Sequence, residues 1–335
     1  MKKLLCLAVA ALMLCSCSGE DSKQTRSLFC MDTYMTLTAY GDDAEQALAD
    51  CADRLKELEA MWSVTDEGSD IYKADHSGGA PVAVSAETAG LVSFAVDMNR
   101  RTEGALDISV YPVLAEWGFT TQKYHVPSDE RIAELMKNVD ASRVEVSDGV
   151  LTVPRDMMID LGAVGKGQAA DIICDLLKSR GVTSAILDLG GNVQTVGSKP
   201  DGSNWKVGIR DPECEGVICT VEIGNAAVVT SGGYERQFTE NGVSYHHIID
   251  PKTGKPAQGD FVSVTVIGDS GKYCDALSTA LFVLGTREKV KDLWEKEERS
   301  FDYIALTTGG ELLVSRGIAD SVTKDAQHDV KVTVV

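Results

Sequence analysis

The stretch Ile159–Asp171, IDLGAVGKGQAAD, is the part of the sequence that says most about the fold. Residues Met158–Leu161 predict the end of a buried strand, and the three glycines that follow predict a tight turn into an amphipathic helix over residues 168–179. A glycine turn at a helix start exposes backbone N–H groups, which is the outline of a phosphate or anion site. Glycines that only cap the helix and allow close packing give the same pattern, so both interpretations stay open for this stretch.

This glycine turn does not have the sequence of a P-loop. A P-loop carries a glycine five residues before its Gly-Lys pair and a Ser or Thr directly after the lysine, where the hydroxyl binds Mg²⁺. Around Gly165 and Lys166, those two positions are occupied by Asp160 and Gly167. We therefore reject the P-loop interpretation.

The N-terminal segment has the composition of an export signal that ends in a lipid attachment site. Residues 1–16 begin with a basic pair and continue through an apolar run shorter than the roughly 20 residues needed to cross a bilayer. The run ends in Leu14-Cys15-Ser16-Cys17, which resembles a bacterial lipobox with Cys17 as the lipidated first residue of the mature protein. Cys15 is the second choice for the lipidated residue, because the bulky Leu14 precedes it. The alternative interpretation is an ordinary secreted protein whose signal contains these cysteines by chance.

The rest of the chain predicts a tether and one large folded unit. Residues 17–27 are polar and predict a tether, followed by a folded domain over residues 28–335. With 44% hydrophobic residues, the 335-residue chain can form an ample core as one large domain or two intertwined lobes. We expect the protein to be exported and lipid-anchored on the periplasmic side of the inner or outer membrane.

Net charge and cysteine spacing exclude several classes of partner. The sequence has 32 Lys and Arg against 51 Asp and Glu, and the resulting charge of -19 argues against nucleic acid as a partner. A phosphate ligand would therefore need a metal ion or a local basic cluster. Six cysteines follow the signal without a CxxC or Cys/His spacing, which argues against zinc, and Cys214 and Cys219 could pair in an oxidising compartment.

Hydrophobic periodicity predicts a mixed order of strands and helices. Residues 28–40 alternate as a strand, residues 43–62 repeat apolar positions as a long helix, and residues 63–79 are polar and predict a loop. Further helices are predicted after Ser85, after Ser128 and over residues 168–179, 275–283 and 287–294, and further strands over 144–146, 151–153, 185–189, 205–209, 217–223, 227–230, 244–249, 262–267, 301–306 and 312–315. Asn241-Gly242 predicts a hairpin turn from the Phe238 region into the strand over 244–249. Because there is no strict βαβα rhythm, the predicted fold class is α+β, with mixed sheets and packed helices.

Five blocks of sequence follow one another in an order typical of one family. They are IDLGAVGKGQAADII (159–173), AILDLGGNV (185–193), VVTSGGYERQF (228–238), HHIIDPKTGKP (246–256) and CDALSTALFVLG (274–285). With residues 31–33, 61–63 and 104–108, they resemble the bacterial FAD:protein FMN transferases, the ApbE-type flavin transferases, over nearly all of the mature chain. The resemblance implies a single T-fold-related catalytic domain. It also implies Mg²⁺-dependent cleavage of FAD, transfer of FMN to a Ser or Thr hydroxyl of an acceptor protein, and release of AMP.

The resemblance places a metal site at Ala163, Asp275 and Thr279. The residue types agree with Mg²⁺, because Asp275 and Thr279 are four residues apart on one predicted helix and both offer hard oxygen ligands. An N-cap aspartate followed by a core-facing threonine is the alternative interpretation. Ala163 has only its backbone carbonyl to offer, at a position where family members can carry threonine.

The resemblance assigns FAD binding to residues spread along the chain. They are Met31, Val64, Ala105, Leu106, Asp107, Asp160, Lys166 and Ile249. Lys166 would offset phosphate charge, although a single lysine is ordinarily a solvated surface residue. Asp107 and Asp160 are predicted at strand ends, where they could accept hydrogen bonds from the edges of the flavin or adenine. Val64 stands where the family can have an aromatic residue.

His247 is the predicted catalytic residue. It directly precedes the Ile248-Ile249-Asp250-Pro251 turn, and an imidazole there could assist attack by the acceptor hydroxyl or steady the phosphate. A lone histidine is more often structural, and the adjacent His246 would point to the opposite face of a regular strand.

Two alternatives remain for the function. An FAD pyrophosphatase would use water in place of the acceptor hydroxyl, and a lipid-anchored flavin-binding protein would bind without chemistry. Asp275, Thr279 and His247 argue against simple binding, which requires neither a metal nor a base. The chain has no flavin-acceptor motif of the DGxTSGAT kind, so the acceptor is expected to be another protein, and the family suggests an electron-transport subunit with a periplasmic domain.

Overall fold

The computed structural model describes residues 22–212 and 215–335, and their framework is a nine-stranded sheet. In chain order the strands are β1 (Lys23–Cys30), β2 (Thr33–Tyr40), β3 (Val82–Ala83), β4 (Glu145–Ser147), β5 (Val150–Thr152), β6 (Ala185–Asp188), β7 (Asn192–Val196), β8 (Trp205–Arg210), β9 (Val217–Ile223), β10 (Ala227–Gly232), β11 (Gln237–Glu240), β12 (Val243–His246), β13 (Ile249–Asp250), β14 (Lys255–Pro256), β15 (Phe261–Gly268), β16 (Asp302–Thr307), β17 (Glu311–Val314), β18 (Val322–Lys324) and β19 (Lys331–Val334). The large sheet has the spatial order β1-β2-β6-β7-β10-β15-β16-β17-β19, and only its β17–β19 pair is parallel.

Helices cover one face of this sheet. In chain order the α-helices of the described residues are α1 (Ala44–Trp62), α2 (Asp70–Asp75), α3 (Ala86–Arg101), α4 (Tyr111–Glu116), α5 (Asp129–Leu135), α6 (Gly165–Ser179), α7 (Gly271–Leu284) and α8 (Arg287–Lys296). α6 packs on β7, and α7 packs on β10 and β15, so the largest apolar cluster lies between these helices and the sheet. None of the helices in the described ranges has the length and apolar character to cross a membrane.

The opposite face of the large sheet carries a second, smaller sheet. Its strand order is β18-β9-β8, and Trp205 and Val221 pack there against Val228 and Leu312 of the large sheet. A third apolar cluster surrounds Trp117 and lies beside the separate β11–β12 hairpin. Two core layers against one mixed sheet confirm the predicted α+β class.

The N-terminal hairpin differs from the prediction of one strand over residues 28–40. The chain reverses at Met31 and Asp32, which have φ angles of 50° and 58°, as a tight hairpin turn requires. β1 begins at Lys23, so the predicted tether over residues 17–27 overlaps this strand, and the ordered fold begins before residue 28. β1 lies at the edge of the large sheet, and most of its residues are polar and exposed. Its sequence therefore lacks the alternation of apolar and polar residues that marks a half-buried strand.

The predicted lipid attachment site and one predicted cysteine pair fall outside the described part of the chain. The signal over residues 1–16 and Cys17 precede its first residue, and Cys214 lies in the gap between residues 212 and 215.

Several element boundaries near the glycine turn were also predicted wrongly. Residues 158–161 belong to no strand, and residues 63–79 contain α2. α6 begins at Gly165 and α7 at Gly271, earlier than predicted, because glycine gives no helical signal in a sequence pattern. Asp275 therefore lies inside α7, whose N-cap is Ser270, and the N-cap interpretation of Asp275 is wrong.

Candidate active site

The candidate site begins where α6 and α7 cross at two glycines. A Cβ atom on Gly167 would lie 2.2 Å from the carbonyl oxygen of Gly271, and a Cβ atom on Gly271 would lie 2.7 Å from the carbonyl oxygen of Gly167. Both distances are shorter than any real contact, so only glycine allows the two backbones to approach this closely. The packing interpretation of the glycine stretch is confirmed at Gly167, and the crossing brings the start of α6 against the first turns of α7.

Asp275 lies on α7 at this crossing. Its side chain is 4% exposed, and its Oδ2 atom accepts a hydrogen bond of 2.9 Å from the backbone N–H of Gly167. Burial raises the pKa of the Asp275 carboxyl, while the charge of Lys166 and the Gly167 hydrogen bond lower it. A buried carboxylate with so little compensating charge is a suitable place for a cation.

Hydroxyl groups extend this oxygen-rich region by one helical turn. Thr279 Oγ1 lies 3.2 Å from Ser231 Oγ on β10, and Ser231 Oγ lies 2.9 Å from Ser278 Oγ. Within residues 22–212 and 215–335, no group of three or more His, Cys, Asp or Glu side chains forms a metal cluster. One carboxylate and the neighbouring hydroxyls still fit Mg²⁺, because this ion prefers oxygen ligands and keeps several waters.

Lys166 supplies positive charge from the first turn of α6. Burial raises the pKa of Asp160, and the Lys166 charge opposes that rise, as it does for Asp275. Asp160 Oδ1 accepts a 2.8 Å hydrogen bond from the Gly162 N–H, and Lys166 Nζ lies 3.3 Å from the Gly162 carbonyl oxygen. The structure therefore places Asp160, Lys166 and Asp275 around one glycine turn.

The two adjacent histidines have different surroundings. His246 Nε2 lies 3.0 Å from the carbonyl oxygen of Ala257, and its ring packs against Phe282. The half-buried His247 has its Nδ1 atom 3.2 Å from the carbonyl oxygen of Arg236. Burial and then the Arg236 charge lower the pKa of His247 to about 3, and Lys166 adds to this effect. His247 is thus the histidine that lies within reach of the Lys166 charge.

Asp107 has a local structural role, and its neighbours are buried. Its Oδ1 atom accepts a 2.8 Å bond from the Ser109 N–H, and its Oδ2 atom accepts bonds from Asn99 Nδ2 at 3.0 Å and from the Ala141 N–H at 3.1 Å. It caps a 3₁₀ turn and does not end a strand, which corrects the predicted position. Ala105 and Leu106 are 3% and 1% exposed, so their side chains belong to the core.

The remaining predicted residues are Met31, Val64 and Ile249 for FAD and Ala163 for the metal. The Met31 N–H donates a 2.6 Å bond to Glu59 Oε1, and the adjacent Asp32 is close enough for its charge to raise the pKa of Asp160. Ala163 and Val64 are partly buried against the main core. Ile249 is 5% exposed and packs in the cluster around Trp117.

Two charged residues near Asp160 were missed in the sequence. The charge of Arg236 lowers the pKa of both Asp160 and His247. Lys166 is therefore not alone as a cation near these groups. It stands in the quoted VVTSGGYERQF block, and the β11–β12 hairpin signal could have pointed to it. Asp75 ends α2, and its Oδ1 atom accepts a 3.0 Å bond from the Ile159 N–H. No sequence signal points to Asp75, because the polar residues 63–79 predict a loop.

Comparisons with known proteins identify the family of the chain. A model of the ApbE family matches residues 31–305. The FAD:protein FMN transferase of Vibrio cholerae is 33% identical over 238 residues, covering 69% of this chain and 71% of the relative. The FAD:protein FMN transferase of Treponema pallidum is 30% identical over 344 residues, covering 94% of each chain.

The solved structures agree with the fold. The crystal structure of an ApbE protein from Thermotoga maritima superimposes with a TM-score of 0.84 at 30% identity, covering 90% of this chain and 99% of that one. The flavin transferase ApbE from Vibrio cholerae gives a TM-score of 0.77 at 27% identity, covering 86% and 94%. The family model, the curated relatives and the solved structures lead to one conclusion: the chain belongs to the ApbE family of flavin transferases.

Proposed function

We propose that this protein transfers the FMN part of FAD to a Ser or Thr hydroxyl of an acceptor protein and releases AMP. Its similarity to FAD:protein FMN transferases along most of the chain supports this reaction class. The observation that carries the proposal is the position of Lys166. Its charge lowers the pKa of two carboxyl groups, Asp160 and Asp275, and of the His247 imidazole, so this cation lies near both the predicted metal ligand and the predicted base.

In the proposed reaction, the acceptor hydroxyl oxygen attacks the phosphorus atom of the FMN half of FAD. A new oxygen–phosphorus bond forms while the bond from that phosphorus to the bridging oxygen breaks, and AMP leaves with the bridging oxygen and its electron pair. The hydroxyl proton passes to His247. A ring that donates from Nδ1 to the Arg236 carbonyl leaves Nε2 free to accept a proton.

Charge on the FAD pyrophosphate would be balanced by the chain and by Mg²⁺. Lys166 and Arg236 provide the local positive side chains. Mg²⁺, when bound, would neutralise charge on the transferring phosphoryl group and on the leaving AMP. Asp275, Thr279 and the Ala163 carbonyl are the groups proposed to hold it, and an all-oxygen donor set is the kind this ion selects.

Intact-mass measurement tests the proposed transfer. The purified protein would be incubated with FAD, Mg²⁺ and a set of periplasmic domains of electron-transport subunits, with an EDTA-treated sample as control. We expect an acceptor to gain the mass of one FMN less one water while AMP appears in equal amount. Free FMN and AMP without a change of acceptor mass would indicate a pyrophosphatase, and unchanged FAD would indicate a flavin-binding protein.

We also propose that the protein acts on the periplasmic side of a bacterial membrane through a lipid on Cys17. The Leu14-Cys15-Ser16-Cys17 sequence after the apolar run supports this assignment. Cys17→Ser should release the protein from the membrane fraction, and Cys15→Ser should not. Unchanged membrane partition of Cys17→Ser would mean that another residue or another anchor is used.

A further inference from the structure

Asp171 joins three elements beside the candidate metal site. Its Oδ1 atom accepts hydrogen bonds from Gln194 Nε2 on β7 at 2.8 Å and from the Gly271 N–H at 2.7 Å. Its Oδ2 atom accepts hydrogen bonds from Ser270 Oγ at 2.9 Å and from the Lys272 N–H at 3.1 Å. A single carboxylate of α6 is therefore bonded to the sheet and to the first turn of α7.

These bonds satisfy groups that a helix start leaves without partners. Gly271 and Lys272 are the first two residues of α7, and their N–H groups have no acceptor within the helix. Ser270, the N-cap, accepts from the Tyr273 N–H and donates to Asp171, so the carboxylate completes the cap from a neighbouring helix. A negative charge at this position also matches the positive end of the α7 dipole.

The Asp171 carboxylate lies one helical turn away from the hydrogen bond that Asp275 accepts from Gly167. Asp171 lies one turn after Gly167 on α6, and Gly271 lies one turn before Asp275 on α7. The Gly167 N–H is the group that bonds Asp275, so Asp171 fixes both helices one turn away from that bond. The charge of Asp171 itself disfavours ionised Asp275, which means that its benefit to the site must come from geometry.

We propose that Asp171 is a positioning residue for the metal site, holding the first turn of α7 against α6 so that the Asp275 carboxylate keeps its orientation. This inference rests on the proposed function, because it assumes that Asp275 binds a divalent cation. Asp171 makes no contact with the cation in this proposal. Its role is to fix the angle and distance at which α7 presents Asp275 to the glycine turn.

The test uses Mn²⁺ as the probe and does not depend on turnover. Mn²⁺ binding to the full chain, with FAD present, would be measured by electron paramagnetic resonance well below the melting temperature. We expect Asp171→Asn to weaken Mn²⁺ binding about 10-fold or more, the usual size of an orienting contribution, because an amide cannot accept all four hydrogen bonds. Asp175→Asn, one turn further along α6 at an exposed position, is the matched control and should bind Mn²⁺ normally.

A second control separates positioning from loss of stability. Thr286→Ala removes the N-cap of α8, where the side chain accepts from the Lys289 N–H, and should lower the melting temperature without changing Mn²⁺ binding. If Asp171→Asn lowers only the melting temperature, as Thr286→Ala does, Asp171 is structural and the proposal is wrong. If wild type binds no Mn²⁺, the metal site of the proposed function fails and this inference fails with it.

A milder variant keeps the proposal testable if Asp171→Asn does not fold. Gln194→Leu removes one donor to Asp171 and leaves the three bonds to the start of α7 in place. We expect a smaller but measurable loss of Mn²⁺ affinity, roughly 3-fold, on the scale of one weakened hydrogen bond. Normal Mn²⁺ affinity of Gln194→Leu, in the absence of a folded Asp171→Asn, would overturn the proposal.

Discussion

The candidate site has two sides that are built differently. On the metal side, Asp275 lies in the main core, where backbone atoms of α6 and α7 touch at Gly167 and Gly271. On the histidine side, the half-buried His247 follows β12, whose hairpin with β11 belongs to a separate two-stranded sheet. The metal side is held by backbone packing and the histidine side by a small cluster of rings.

We therefore expect the two sides to contribute differently to the reaction. Backbone contact cannot be adjusted without moving a helix, so the metal side suits the part of the reaction that needs a fixed geometry. The histidine side is more exposed and is held by side-chain contacts, including Phe119 with its ring centroid 6.3 Å from that of His247, so we expect the protein substrate to approach from this side. We expect substitutions on the metal side to affect both stability and turnover, and substitutions on the histidine side to affect mainly turnover.

Asp275→Ala should have the largest effect. We expect turnover to fall by roughly 10³-fold or more, because the proposed cation site loses its carboxylate. The unpaired Gly167 N–H should also lower the free energy of unfolding by about 1–3 kcal/mol. Activity would be measured against Mg²⁺ concentration, with Asp175→Ala as an exposed control on α6. Normal activity of Asp275→Ala, or wild-type turnover that survives chelation, would contradict the proposed metal site.

Gly167→Ala should damage the metal side through packing alone. The new Cβ atom would lie 2.2 Å from a backbone oxygen that cannot rotate away, so we expect a loss of stability of about 1–3 kcal/mol or more together with loss of turnover. Gly90→Ala in α3, where a Cβ atom meets nothing within 4 Å, should instead stabilise the protein by up to about 1 kcal/mol. Equal melting temperatures for the two variants would mean that the crossing is not tight.

The sequence predicted the helices and strands that have strong hydrophobic periodicity. It did not predict features that depend on contacts between residues far apart in the chain. α1 and the β11–β12 hairpin were predicted because apolar spacing and an Asn-Gly turn are local signals. The starts of α6 and α7 were missed because their glycines are selected by a contact between two helices that are about 100 residues apart in the chain.

The same distinction applies to the candidate site. Asp160, Lys166, His247 and Asp275 were identified from sequence blocks, and the structure places them within one region of charge. The bonds of Asp171 and the position of Asp75 beside Ile159 arise only from folding, so no spacing in the chain could have predicted them.

His247→Ala should separate the two sides most clearly. We expect transfer to slow by roughly 10²-fold while FAD affinity stays within a few fold, the usual result of removing a general base. The melting temperature should hardly change, because His247 lies outside the main core. His246→Ala is the contrasting variant, since it removes a ring that bonds Ala257 and packs on Phe282, and it should lower stability. Loss of FAD binding with normal turnover of bound FAD would make His247 a binding residue.

Thr279→Ala should be milder than either change at Asp275 or His247. A neutral hydroxyl can be replaced by water in a shell that Mg²⁺ keeps partly hydrated, so we expect a loss of about 10-fold that high Mg²⁺ concentrations reduce. Thr279→Ser keeps the oxygen and is the control. A loss as large as that of Asp275→Ala, unaffected by Mg²⁺ concentration, would indicate that Thr279 has another role.

Asp75→Asn should have the smallest effect, and only on stability. Burial raises the pKa of Asp75 to about 8, the bond from the Ile159 N–H lowers it, and the Asp160 charge raises it further. In the unfolded chain the same carboxyl ionises with its ordinary pKa near 4. Between about pH 4 and pH 8 the native state therefore holds a proton that the unfolded state releases, so this residue makes the protein less stable as pH rises.

The asparagine amide oxygen can still accept from Ile159, and an amide carries no charge at any of these pH values. We therefore expect the melting temperature of Asp75→Asn to exceed that of wild type by an amount that grows from pH 5 to pH 8 and levels off above it. Asp175→Asn, at an exposed position, should show no such trend. A difference between Asp75→Asn and wild type that is the same at pH 5 and pH 8 would mean that Asp75 is ionised in the folded protein over this range and that its pKa is not raised by burial.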